Sequence, residues 1–217
     1  VLGDDHADVA GGVTHGPVAA VATVLAVGER DRVGACGVDR LVAAVSNAGG
    51  LGSLGTGLRP IESLKSELLL RPVKSLKEEL PRIRQLTSRP FAVNYTLAQP
   101  NEEIFTLILE VKPPIISFAL GDPGDLVKRA HEVGSLVMHQ VSTVQQAKQA
   151  AERGVDVIIA QGSESGGFSG SVAALALIPQ VVDAVRPIPV VAAGGIADGR
   201  GLAAALILGA QGINIGT

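Results

Sequence analysis

The chain has 217 residues, 47% of them hydrophobic, with 27 glycines and a formal net charge of −3. That length supports one sizeable core, read as a single domain over 1–217, and the lack of a basic block argues against a nucleic-acid or acidic-membrane partner. A lone cysteine, Cys36, excludes an internal disulfide and fits a reducing, cytoplasmic setting.

Residues 1–37 open on Val1 and show no clean period. VAAVATVLAV (18–27) is too short to span a bilayer, and the stretch before it is acidic where a signal peptide is basic. Periodicity leaves strand and helix both open for it. From residue 38 the pattern becomes regular. VDRLVAAVSNAGG (38–50) predicts a helix stopped by glycine, and LGSLG (51–55) a short strand. RPIESLKSEL (59–68) nearly repeats as RPVKSLKEEL (71–80), which reads as a local duplication lengthening an exposed, charged helical region. Two copies are too few for a solenoid.

Strands are then predicted at 91–97, 115–120, 135–141, 155–160, 188–193 and 212–216. They alternate with helices at 102–111, 122–134, 142–154, 172–185 and 198–209. Continuous apolar strands alternating with helices mean a parallel sheet buried on both faces. Seven strands are readable after residue 50, and an eighth from the first 37 residues would close a (β/α)8 barrel of the TIM type. An open doubly wound sheet is the alternative. The barrel is preferred because glycine-rich ends follow several strands rather than mainly the first.

In a barrel, chemistry sits at the C-terminal strand ends. Two of those ends carry paired signals: Gly194-Gly195 after the seventh strand and Gly216-Thr217 after the eighth. Glycine lets backbone N–H groups turn toward a ligand, and loops at these two positions often hold phosphate; a tight turn is the bland alternative for either one alone. Asn94 and Gln161 end apolar strands, where an amide either satisfies a turn or reads the donor and acceptor edge of a ligand. With the glycine loops they suit a flat, polar-edged ring on a phosphate tail, as in flavin mononucleotide (FMN).

Five segments, AVSNAGGLGSLG, PFAVN, QGSESGG, IPVVAAGGIADGRG and LGAQGINIGT, together resemble the nitronate monooxygenase family, formerly the 2-nitropropane dioxygenases, to which flavin-dependent enoyl-ACP reductases are related. The resemblance runs from about residue 38 to the end. It implies an FMN-binding barrel with cofactor contacts at Asn94, Gln161, Gly166, Gly194, Gly195, Asn214, Ile215, Gly216 and Thr217. Asn214 stands where the family usually has glutamine. Nothing in 1–37 matches the family's first strand, so that strand is expected to be atypical. The family continues past the position of Thr217, so the barrel is expected to be incomplete at its C-terminus.

The resemblance further implies oxidation of alkyl nitronates by dioxygen, a small-molecule substrate, and an oligomeric state in which a homodimer is left open. Many members carry a histidine, held to be the base for neutral nitroalkanes, where this chain has Phe168. Phenylalanine takes no proton and reads as packing or as an apolar wall over the flavin. His139, near a strand end, is the candidate substitute, with hydrogen-bonded structure as its other reading. Glu164 reads as a weak acid candidate or a turn cap. Ser163, Ser165 and Ser169 have no visible base partner, and no HxxxH, CxxC or carboxylate cluster suggests a metal. The rival readings are an NAD(P)H-dependent flavin enoyl reductase, a flavin-free phosphate-binding lyase or isomerase, and an inactive fragment.

Overall fold

Short apolar strands alternate with helices, and N-cap side chains mark the starts of three of those helices. In the computed structural model, which describes residues 37–58, 69–70, 73–167 and 170–216, that alternation gives seven helices and nine strands among the described residues. α1 (Val38–Asn47) leads into β1 (Gly52–Gly55). β2 (Gly57–Leu58) and β3 (Leu69–Leu70) pair antiparallel as a small ribbon that the sequence reading had missed. Then come α2 (Val73–Leu86), β4 (Phe91–Thr96), α3 (Glu102–Val111), β5 (Ile115–Ala119), α4 (Leu126–Glu132), β6 (Leu136–Val141), α5 (Val144–Glu152), β7 (Val157–Gln161), α6 (Ala174–Val185), β8 (Val190–Ala193), α7 (Gly199–Ile207) and β9 (Gly212–Asn214).

The main sheet is parallel in every pairing, in the order β1-β4-β5-β6-β7-β8-β9. Each strand lies beside its successor, with no reversal of direction along the sheet. That is the winding of a barrel; a doubly wound sheet reverses at a switch point. The eighth strand expected from residues 1–37 lies outside the described residues apart from Gly37.

Local chemistry explains several element ends. Asn101 caps α3 by accepting from Ile104 N at 3.0 Å, and the Tyr95 hydroxyl holds the same turn by donating to Asn101 O. Thr143 caps α5 and Asp198 caps α7. α4 begins at Leu126, later than 122, because Asp122 Oδ1 accepts from Gly124 N and makes a turn of 122–125. The second copy of the repeat also departs from expectation. Leu76, Leu80 and Ile83 are fully buried, so α2 presents an apolar face to the core rather than a solvated one. Their spacing of four and three residues places them on one helical stripe.

The two faces of the sheet have separate cores. Val93, Tyr95, Ile116, Phe118, Val137, Val141 and Ile158 pack under the helices. Leu51, Ala92, Met138, Ile159, Val191 and Ala193 form a second cluster on the opposite, inner face. Side chains alternate along a strand and share a face with their register partners, so this division assigns a face to every residue of the strands.

Candidate functional site

Counting from the inner cluster in steps of two places Asn94, Gln140 and Gln161 on the inner face at the C-terminal ends of β4, β6 and β7. Register adds Ser117 opposite Asn94, Ser53 opposite Ala92 and Asn214 opposite Ala193. Three amides singled out by sequence, Asn94, Gln161 and Asn214, therefore share one face at one end of the sheet.

All of these groups but the half-buried Gln140 are buried, and not all of them are partnered. Asn94 Nδ2 donates to Ser117 Oγ at 3.3 Å. Gln161 Oε1 accepts from Gln140 Nε2, and Gln161 Nε2 donates to Ser165 Oγ at 2.6 Å. Asn214 Oδ1 and Ser53 Oγ are buried with no hydrogen-bond partner among the described residues, as is Thr56 Oγ1 just after β1. An unsatisfied buried polar atom costs about 1–3 kcal/mol. Orphans on the face that carries the amide pair are the feature a bound, polar-edged molecule would satisfy.

The glycine loops close over the same end. Gly194 and Gly195 have φ of +104° and +68°, conformations that side chains rarely adopt. A Cβ on Gly194 would meet Gly162 O at 3.1 Å and Ser165 N at 3.2 Å, and one on Gly195 would meet Glu164 Cβ at 3.2 Å. The loops after β7 and β8 are thus packed backbone to backbone. Gly162 N donates to Ala193 O at 2.8 Å, tying them together. Glu164 is accounted for here: its carboxylate accepts from Ala174 N at 2.9 Å and caps α6 from ten residues upstream. Gly166 and Gly216 have open space around them, and Ile215 is partly buried against the helix-side core. Thr217, Phe168 and Ser169 lie outside the described residues. At the start of α7, Asp198 pairs with Arg200 at 2.6 Å, so its carboxylate does not stand as a bare negative charge beside the glycine loop.

His139 is placed differently from the amides. Its register partners are Phe118 and Ile158, both in the helix-side core, and it is 4% exposed. Nδ1 donates to Phe118 O at 3.2 Å. Burial is the main influence on the ring and holds its pKa below the ordinary value; the carbonyl contacts oppose this without overcoming it. His139 nevertheless lines a cavity of about 270 Å³ together with Gln140, Ser142, Gln146 and Gln161, at the mouths of β6 and β7. The sequence marks both His139 and Gln140 as a strand end but suggests a role only for His139, whereas the alternation puts Gln140 on the inner face.

The buried neutral ring sets a pH dependence. Its folded-state pKa lies below the unfolded value of about 6.5, so the unfolded chain takes up the proton first on acidification. The stability it contributes is complete above about pH 6.5 and is lost as pH falls from there through the folded pKa. His139→Asn is expected to flatten that part of the profile, measured by urea midpoints between about pH 7 and pH 5. An unchanged slope would show that the ring is not held neutral.

The family model described as nitronate monooxygenase matches residues 29–105 and 102–217. A (3aS,4S,5R,7aS)-5-hydroxy-7a-methyl-1-oxo-octahydro-1H-indene-4-carboxyl-CoA dehydrogenase of Rhodococcus jostii is 39% identical over 179 residues, covering 82% of this chain and 47% of its own length. The structure of FabK from Thermotoga maritima superposes with a TM-score of 0.75 at 34% identity, over 90% of this chain and 58% of that one. The nitroalkane oxidase of Streptomyces ansochromogenes does so with a TM-score of 0.73 at 29% identity, over 90% of this chain and 65% of that one. The chain spans about half the length of the first curated relatives it matches.

Proposed function

Because the chain belongs to the nitronate monooxygenase family, we propose that it forms the FMN-binding part of an oxidoreductase that oxidises alkyl nitronates with dioxygen. The observation that carries this reading is the gathering of Asn94, Gln161 and the unpartnered Asn214 Oδ1 on one face, beside two glycines of positive φ. Asn94, Gln161 and Asn214 would hold the ring edge. Gly194 and Gly195, with Gly216 and Thr217, would hold the phosphate, and Gly166 and Ile215 would flank it. When bound, the flavin supplies a two-electron acceptor that dioxygen can reoxidise.

The chain's own residues supply positioning rather than acid–base chemistry. A nitronate is already deprotonated at carbon, so its oxidation needs no side-chain base, and Phe168 offers none. For a neutral carbon acid, the imidazole lining the cavity beside Gln161 is His139, which burial keeps unprotonated near neutral pH. Among the described residues no helix is long and apolar enough to cross a membrane. A cytoplasmic location and a homodimer remain part of the proposal.

A second reading, oxidation of a CoA thioester, is favoured by the 39% identity to the Rhodococcus jostii dehydrogenase. One set of experiments separates the readings. The purified protein is expected to be yellow, or to retain yellow colour through desalting after incubation with FMN. Anaerobic bleaching by propyl-2-nitronate, and not by NADPH or a CoA thioester, is the expected result. Bleaching by NADPH alone would instead identify a reductase, and a colourless protein that binds inorganic phosphate would identify a flavin-free barrel.

A further inference from the structure

Building on the FMN reading, we propose that Gln140 is a positioning residue that holds the Gln161 amide in place for the cofactor. β6 and β7 run parallel with Gln140 in register with Ile159, which puts Gln140 and Gln161 on the inner face as diagonal neighbours. Gln140 Nε2 donates to Gln161 Oε1, and Gln161 Nε2 passes the chain on to Ser165 Oγ at 2.6 Å. Both glutamines line the cavity of about 270 Å³ at this end of the sheet.

The chemistry of the three groups shows why Gln140 matters. A primary amide carries an acceptor oxygen and a two-proton donor that nearly match in shape, so its sense depends on its neighbours. Ser165 lies in the loop and is partly exposed, so it ties the Gln161 amide to the loop and not to the sheet. Gln140 is anchored on a strand and, among the described residues, is the one other side chain in hydrogen-bond contact with the Gln161 amide. Without it, the Gln161 amide swings on the Ser165 contact alone. Gln140 thereby links the ring-reading amide to the sheet, as Ser165 links it to the loop.

A double-mutant cycle in FMN affinity tests this, using fluorescence quenching of free FMN with the full chain. Gln140→Met is expected to weaken FMN binding about tenfold, the loss of about one hydrogen bond. Gln140→Asn keeps the polarity but loses one methylene of reach; it is expected to lose as much, and it guards against a packing failure in the methionine variant. Gln161→Met is expected to lose tenfold or more, and the double variant no more than Gln161→Met, because Gln140 acts only through Gln161. Losses that multiply to about a hundredfold, or an unchanged affinity in both Gln140 variants, would overturn the proposal while leaving the FMN reading standing. An unaltered chain that binds no FMN would overturn both.

Discussion

Gly195→Val is expected to weaken FMN binding at least about a hundredfold, close to 2.7 kcal/mol. At φ +68° the residue occupies the left-handed region, where a β-branched side chain is strained by about 1–2 kcal/mol. Its Cβ would also stand 3.2 Å from Glu164 Cβ, and Glu164 is fastened to the start of α6. Relief requires the backbone to leave its positive-φ conformation, which turns the loop amides away from the proposed phosphate. The cost to the free protein is smaller. Strain of 1–2 kcal/mol lowers Tm by roughly 2–8 °C for a chain of this size. Titration with FMN and a thermal melt separate the two effects. Full affinity in a folded Gly195→Val protein would remove the phosphate from this loop.

Gly52→Ala is expected to destabilise the fold by about 3 kcal/mol or more, an overpacking effect at the upper end of those known. A Cβ at this position would lie 2.0 Å from Val42 O and 2.9 Å from Val42 Cα. Both atoms are backbone in the middle of α1, so no rotamer change relieves the overlap. The Gly52 N–H also donates to Ser46 Oγ at 3.1 Å, which fixes β1 against the same helix. Gly49→Ala provides the comparison. It sits at φ +91° with open space around its missing Cβ, so it carries only the conformational strain of about 1–2 kcal/mol. Urea unfolding of the two variants is expected to rank Gly52→Ala well below Gly49→Ala. Equal midpoints would mean that α1 and β1 do not approach as closely as described.

The two glycines show how far motif reading reached. AVSNAGGLGSLG marked a helix stop followed by a strand, and both formed, but nothing in the string distinguishes Gly49, which needs a backbone angle, from Gly52, which needs space. That difference lies in a contact with Val42, ten residues away. RPVKSLKEEL reads as a solvated helix because its charges dominate the composition. Its Leu76 and Leu80 are buried only because α2 finds the rest of the core.

The sequence by itself determined the alternating strands and helices of the parallel sheet after residue 37, though not the β2–β3 ribbon, and it marked the amides and glycines at the strand mouths. Those signals are local: apolar runs, caps and glycine stops act within a few residues. Tertiary structure alone decided which face each of those residues takes. In LVMHQV apolar residues stand at both parities, with Val137 and Val141 in the helix-side core and Met138 in the inner one, so the alternation that normally separates inside from outside is absent. Only the register of β6 between β5 and β7 sends His139 toward the helices and Gln140 toward the inner face.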